Sequence, residues 1–454
     1  MKQKAALFVL YYLRFFAKLQ LKKNKNCNIV GITGSAGKSS TRNAIYSVLK
    51  NKYQVKASFK ANSESGIPLD ILGLEMKNYS VLDWLRVLFM APIKLLTNFE
   101  KFDYYLVEMG IDSPNPPKNM DFLLSIIEPK MAVFLNANVN HSFAFDQLVS
   151  EQEPKERKKQ IIKKIAEEKA KLILSLPKNG LAFLNFDDLN VKESCKNTKA
   201  ESYSFGSDSF CDLQIIEHQP QILDKIINTT FNFQIQSHYG KLKIKNQKLT
   251  IKINNFLLPK HYAYSLAPAI LIGIKAGLST EEIKNSLENN FSIPLGRASA
   301  IKGKNNSTII DSSYNASSMK DMIELMNKVN NQGRKLALLG DMRELGEETQ
   351  AMHEEIALLA SKSFDQIFLV GQEMKKYALP IMRVNNKNQT IFFENSKIAG
   401  EKIANLLKAN DLILVKGSQN TIFLEEAIKQ MMLNEEDAGK ILCRQSNWWL
   451  SVKR

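Results

Sequence analysis

Apolar runs of strand length, separated by stretches of helical patterning, set the rhythm of the first part of the chain. "CNIVGIT" from Cys27, "YYLVEMG" from Tyr104 and "MAVFLNA" from Met131 are nearly continuous apolar runs, as expected of strands buried on both faces of a parallel sheet. "EPKERKKQIIKKIAEEKAKLIL" from Glu153 carries Ile161, Ile162, Ile165 and Ala166, then Lys169, at helical spacing. A helix is predicted there, with its charges on a solvated face. Around residues 200 to 258 the period drops to two, in "TTFNFQIQ" and "KLKIKNQKLTIKIN", the pattern of half-exposed strands. Helical spacing returns in "YAYSLAPAILIGIKAG" and in "STEEIKNSLENN", where Glu282 stands to answer a Ser279/Thr280 cap. "SIPLGRAS", with Pro294 and Gly296, reads as a linker. Beyond it "TIIDSS", "KLALLGD", "QIFLVG" and "DLILVKGS" are strands separated by helices, a second, doubly wound α/β unit.

One junction carries chemistry at once. In "VGITGSAGKSSTRNAIYSVL", from Val30, a strand runs into glycines, a lysine and hydroxyls and then into a helix whose apolar face is Ala44, Ile45, Val48 and Leu49. Gly31, Gly34 and Gly37 let backbone amides turn inward on phosphate oxygens; Lys38 offers a cation, and the Ser39 hydroxyl a ligand for Mg²⁺. The usual spacing would put a glycine at Ile32, and here it stands one residue earlier, at Gly31. Glu108 and His141 each follow an apolar strand. Strand C-termini converge on the ligand crevice of an α/β sheet, so both side chains are candidates for a metal at the phosphates.

Charge and cysteine usage narrow the setting. With 454 residues the chain exceeds one ordinary core, and its formal charge of +16 suits anionic partners. The basic residues are spread along the chain without the aromatic-basic motif of a nucleic-acid-binding module, so no nucleic acid is expected, and a P-loop ATPase acting on nucleic acid is the lesser alternative. Cys27, Cys195, Cys211 and Cys443 are far apart. That disfavours a disulfide framework or structural zinc and points to a cytoplasmic protein. In residues 5–22 the apolar run from Ala5 to Leu13 is too short to span a bilayer. Arg14, Lys18 and Lys22 would line a cationic stripe beside an aromatic and aliphatic face. Residues 79–96, with Arg86 and Lys94, have the same character. Two readings stand for these stretches: peripheral contact with the inner face of a membrane, or helices packed on their own domain.

Taken together, "GITGSAGKSST", "NSESGIPLDIL", "VEMG", "NANVNH", "EEKAKLIL", "LGRAS", "DSSYNASSMK", "LLGDMRELGEETQAMHEEI" and "VKGSQNTIFLEE" resemble, in order, the motifs of the Mur ligases, ATP-dependent amide ligases of peptidoglycan-precursor synthesis. The resemblance runs from about Asn28 to Lys429. Its last four motifs are most similar to those of members that add a D-alanyl-D-alanine dipeptide. It implies an α/β chain with a P-loop central domain built on a parallel sheet and a C-terminal Rossmann-like α/β domain. The expected boundaries are an apolar, cationic helix at 1–28, the central domain at 29–296, the C-terminal domain at 297–435 and a tail at 436–454.

Residue by residue, the resemblance implies that Gly34, Ser35, Ala36, Gly37, Lys38, Ser39 and Ser40 hold the ATP phosphates, with Asn62 and His261 also at the nucleotide. Ser39, Glu108 and His141 would bind Mg²⁺, joined by Lys169 as a carbamate, and Lys38, Glu108, His141 and Lys169 would carry catalysis. Arg297, Asp311 and Asn315 would reach the nucleotide from the C-terminal domain, and Asp341, Glu344, Lys416 and Ser418 would form the site for the incoming amine. The implied partners are a muramoyl-peptide acceptor and a D-alanyl-D-alanine-type donor, and the cofactors ATP and Mg²⁺. ATP would convert a carboxylate into an acyl phosphate for the amine to attack, and domain closure would keep water from that intermediate.

Three departures bear on substrate. The phosphate loop begins near residue 31, leaving about thirty residues where UDP-using members carry a uridine-nucleotide domain. Either UDP is held otherwise, or another chain holds it, or the acceptor is not UDP-linked. A lipid-linked acceptor, which the two amphipathic stretches would suit, or a different amine donor is the alternative reading. The family's H-N-x-x-N stands as "HYAYS", with Tyr262 and Ser265 in the asparagine positions, an aromatic in place to stack. Gln419 follows "VKGS" where a basic residue is expected.

Overall fold

The computed structural model describes residues 2–59, 61–77, 80–139, 143–223, 226–236, 242, 244, 246–316, 318–343, 345–385, 389–418 and 421–453. The first sheet-forming strands are β1 (Asn28–Thr33), β2 (Val55–Ala57), β3 (Tyr104–Glu108), β4 (Met131–Phe134), β5 (Leu181–Asn185), β6 (Glu201–Gly206), β7 (Leu213–Leu223), β8 (Ile226–Ile235) and β9 (Gln247–Asn254). Their order across the sheet is β2-β3-β1-β4-β5-β6-β7-β8-β9. From β2 to β7 each pairing is parallel. Ile32 lies opposite Glu108 and Thr33 opposite Phe134, so β1, β3 and β4 finish at one edge.

The helices of this part are α1 (Lys2–Leu21), α2 (Lys38–Leu49), α3 (Gly66–Leu72), α4 (Val81–Thr97), α5 (Met120–Leu124), α6 (Phe143–Asp146), α7 (Pro154–Leu174), α8 (Leu189–Ser194), α9 (Ala263–Lys275) and α10 (Thr280–Asn290). Local signals explain where they start. Glu153 accepts from the amides of Lys155 and Glu156 ahead of Pro154 at the head of α7, and Ser279 and Glu282 form a full capping box on α10.

Two sequence readings need correction here. Gly31 lies inside β1, not in the loop, and a Cβ there would stand 2.8 Å from Leu172 Cδ1 of α7; its lack of a side chain lets that helix pack on the strand. On α7 the solvated-face reading fails at Glu168 and Lys169, both buried. Glu168 accepts from the Met120 amide at 2.9 Å and pairs with Lys171 at 2.7 Å.

The remaining strands are β10 (Ser299–Lys302), β11 (Thr308–Ser312), β12 (Lys335–Gly340), β13 (Gln366–Val370), β14 (Gln389–Phe393) and β15 (Leu412–Lys416). They form a sheet in the order β10-β11-β15-β12-β13-β14, parallel apart from β10, which runs against β11. Its helices are α11 (Met319–Lys328), α12 (Thr349–Ser363), α13 (Leu379–Val384), α14 (Ser396–Leu406), α15 (Glu425–Met431), α16 (Ala438–Ile441) and α17 (Asn447–Val452). The periodicity does not mark β10 or β14 as strands.

The chain forms two compact units: residues 1–217, 231–251 and 261–292, and residues 218–230, 252–260 and 293–454. In the first, buried side chains of β1, β3 and β4 meet α5 and α7. The inner side of α1 is packed through Leu10, Leu13 and Ala17. In the second, β11, β12, β13 and β15 bury apolar side chains against α14 and α15. Among the described residues no helix is long and apolar enough to cross a membrane.

Candidate functional site

Between β1 and α2 the backbone turns through Gly34, φ 152°, and Gly37, φ 87°, values that a side chain disfavours. Gly37 is the N-cap of α2 and brings no side-chain cap, so the first amides of that helix face outward as a site for an anion. The loop is braced by the chain after β4. The Asn136 side chain accepts from the Ala36 amide at 2.9 Å and donates to its carbonyl at 3.2 Å. Ser35 Oγ donates to the Asn138 carbonyl at 3.0 Å. Lys38 Nζ folds back over the loop to the Gly34 carbonyl at 2.7 Å. Ser40 is buried on the first turn of α2.

Beneath the loop lies a charge cluster. Glu108, at the end of β3, is buried, and its Oε2 accepts from Ser39 Oγ at 3.0 Å. Its other oxygen is paired with Arg42, which also donates to the Ser58 carbonyl at 2.9 Å and to Asn43 Oδ1 at 2.8 Å. Lys169 is 4% exposed, with Nζ 3.5 Å from the Gly34 carbonyl. Burial, then the neighbouring charge of Lys38, pulls its pKa down to about 7. A large share of Lys169 is therefore a neutral amine near pH 7, the form that reacts with CO₂. Lys38 is likewise pulled down by burial, against the opposing pull of Glu108 and Asp112.

The donor set fits Mg²⁺. Ser39 and Glu108 offer hard oxygen atoms beside the anion site, and Mg²⁺ is commonly held by one or two carboxylates together with substrate phosphates and water. His141, the other expected ligand, lies outside the described residues. Asn62 is exposed, and its carbonyl accepts from the Gly110 amide at 3.2 Å just past β3. His261 is exposed and stacks on Tyr262 at 5.0 Å. Tyr262 itself is buried, so the aromatic in the first asparagine position packs into the core and does not present a free face. Ser265, in the second, is buried with its Oγ 3.5 Å from where a Cβ on Gly37 would sit.

In the second unit the ends of β11 and β15 bring Asp311, Asn315 and Lys416 together. Asp311 is fully buried. Its Oδ1 accepts from the Ser313 amide at 3.0 Å and hydroxyl at 2.6 Å, while Oδ2 has no hydrogen-bond partner. Burial pushes its carboxyl up to about 6. Lys416 Nζ donates to the Asn315 carbonyl at 3.1 Å and to Ser312 Oγ at 3.3 Å. Burial, then Arg297, holds its pKa near 7. The Arg297 guanidinium lies 4.8 Å from the Tyr314 ring centre, and its Nε is buried without a partner. Two orphaned polar atoms in one cluster are what a polar ligand would satisfy.

Ser418 donates its amide to the Asp341 carbonyl at 2.8 Å, and its Oγ accepts from the Arg343 amide at 3.2 Å. The Asp341 carboxylate accepts from the Met374 amide at 2.8 Å and fills the space beside Gly371, where a Cβ would stand 2.3 Å from its Cγ. It thus holds the turn after β13. Glu344 lies outside the described residues.

Three contributors escaped the sequence reading. Arg42 carried a signal, since it stands four residues after Lys38 on the same helical face. Asn136 was seen only as part of a motif. Arg444, in the tail, gave none: its Nε donates to buried Glu425 at 2.8 Å, and its Nη atoms donate to the Tyr314 and Ser313 carbonyls at 2.9 Å.

A family model described as the Mur ligase middle domain matches residues 32–272, and one described as the Mur ligase glutamate ligase domain matches residues 296–419. The chain is 24% identical to a UDP-N-acetylmuramoyl-tripeptide–D-alanyl-D-alanine ligase of Bacillus subtilis, over 89% of this chain and 76% of that protein. It is 26% identical to the Rickettsia prowazekii protein of the same name, over 88% of this chain and 77% of that one. Among solved structures, MurF ligase from Thermotoga maritima in complex with ADP has the same fold, with a TM-score of 0.68 at 21% identity, over 95% of this chain and 84% of that one. MurF from Acinetobacter baumannii also shares the fold, with a TM-score of 0.67 at 19% identity, over 92% and 79% of the two chains.

Proposed function

The chain belongs to the Mur ligase family, and from that premise we propose that it is an ATP-dependent carbon–nitrogen ligase of peptidoglycan-precursor synthesis. It activates a muramoyl-peptide carboxylate as an acyl phosphate, joins it to D-alanyl-D-alanine, and releases ADP and phosphate. The names of the Bacillus and Rickettsia relatives support that pair of substrates. The observation that carries the reading is the uncapped start of α2, with Lys38 over it and the Ser39–Glu108 pair at 3.0 Å beneath.

Residues Gly34 to Ser40 bind the phosphates, and Lys38 offsets the charge that builds on the transferred phosphoryl group. Ser39, Glu108 and His141 would hold Mg²⁺, with Lys169 contributing as a carbamate; when bound, the ion supplies Lewis-acid neutralisation of phosphate charge. Arg42 fixes the Glu108 carboxylate from its far side. Asn62, His261, Arg297, Asp311 and Asn315 contact the nucleotide. Asp341, Glu344, Lys416 and Ser418 receive the amine, which must be unprotonated to attack the acyl carbonyl. The protein works in the cytoplasm, docked peripherally on the inner face of a membrane.

The test is ADP release with Mg·ATP and a UDP-linked muramoyl tripeptide, with and without D-alanyl-D-alanine. Release that needs both substrates, with a product heavier by the dipeptide, is the expected result. Release driven by nucleic acid and indifferent to either substrate would overturn the reading. A lipid-linked acceptor is the second reading, favoured by the exposed apolar side chains of α1 and α4, and turnover with it but not with the UDP-linked tripeptide would select it.

A further inference from the structure

Helices α1 and α4 share a small core in which Leu13, Val87 and Ala91 are buried, and Tyr12 Oη donates to the Leu88 carbonyl at 3.2 Å. The opposite side of α4 is uncovered. Leu82, Leu85, Phe89, Ile93 and Leu96 recur at helical spacing and are 77%, 56%, 70%, 36% and 73% exposed, a continuous stripe where isolated apolar residues would be ordinary. On α1, Phe8 and Phe15 stand seven residues apart on one face and are 67% and 58% exposed.

Charge surrounds the stripe asymmetrically. Residues 1–27 hold seven lysines or arginines and no aspartate or glutamate. Lys22 is exposed at the end of α1, and Arg86 and Lys94 rise from α4 half-buried. The acid on α4, Asp83, is buried and paired with Arg86 at 2.7 Å.

We infer that the α1–α4 face seats in the headgroup layer of an anionic lipid bilayer. The apolar stripe and the two phenylalanines enter the interface, and Lys22, Lys25 and Lys94 meet lipid phosphates. Lys18 pairs with Glu128 at 3.9 Å and Arg14 donates to Ser125 Oγ at 3.0 Å within the chain's own domain, which leaves Lys22 and Lys25 exposed at the end of α1. A protein partner would account for the stripe but not for cations flanking it in a segment that has no acid of its own, whereas an anionic bilayer accounts for both. This assignment rests on the peripheral attachment proposed above and is independent of the ligase reaction.

The experiment is co-sedimentation of the full chain with phosphatidylcholine vesicles, with and without phosphatidylglycerol. Two variants are run beside the parent. One carries Leu82→Ser, Leu85→Ser and Phe89→Ser together; the other is Phe210→Ser, which alters an 83% exposed aromatic outside this face. The parent and Phe210→Ser are expected to bind the anionic vesicles and to lose binding as salt is raised. The triple variant should bind at least about tenfold more weakly while its circular-dichroism melt is unchanged. Equal binding by parent and triple variant would overturn the face while leaving attachment standing. No binding by the parent would overturn both, and self-association abolished by the triple variant would then assign the face to a second copy of the chain.

Discussion

Lys169 sits among groups that make a charged lysine costly, and the cost has a definite pH dependence. Unfolded, its ammonium persists to about 10.5, whereas in the fold the proton leaves at about 7. Between those values the unfolded chain holds more protons, so this lysine's contribution to stability rises with pH. Below about 7 the folded state carries the full cost. In CO₂-free buffer, Lys169→Met should therefore stabilise the protein by on the order of 1–3 kcal/mol at pH 6.5, with the gain shrinking toward pH 10. Turnover should be lost in the same variant. Melting scans across that range check it, and a variant that melts lower than the parent at pH 6.5 contradicts it. Lys38 is tested by contrast. Lys38→Ala should abolish turnover, while Lys178→Ala, on an exposed turn, should leave it unchanged; equal effects would sink the site assignment.

At the scale of elements, two contacts decide how helices hold the site. Gly31→Ala would drive a methyl group against Leu172 of α7 and should cost about 1–3 kcal/mol of stability in denaturant titrations. Combined with Leu172→Ala, it should cost less than the two single changes added together. Full additivity would mean that the strand and helix do not meet there. Arg444→Ala would remove the donor to the Ser313 and Tyr314 carbonyls and leave fully buried Glu425 with Lys453 alone, 2.8 Å away. A loss of about 2–4 kcal/mol is expected, only partly recovered by Arg444→Lys, whose single ammonium lacks the planar fork. A loss below about 0.5 kcal/mol, within the range of ordinary surface changes, would remove the tail from the account.

Across the whole molecule, what could be read in advance was what local periodicity and glycine–lysine spacing report. The buried parallel strands β1, β3 and β4, the alternating strands β8 and β9, the cap of α10 and the loop from Gly34 to Lys38 all follow from residues close in sequence. What escaped depends on partners far along the chain. Burial of Lys169 is set by the loop 135 residues away, and Arg444 acts on carbonyls about 130 residues earlier. Nothing in a polar tail announces that. The short strand β10 and the β14 segment "QTIFF" carry too few alternating positions to stand out from their polar surroundings.

The central claim is that ATP serves to make an amide through an activated carboxylate. Its most direct test follows oxygen in a single turnover with an acceptor whose reacting carboxylate is labelled with ¹⁸O. The account predicts one labelled oxygen in the released phosphate, formed together with the dipeptide-extended product and only when the amine is present. Amide formed with unlabelled phosphate would contradict it.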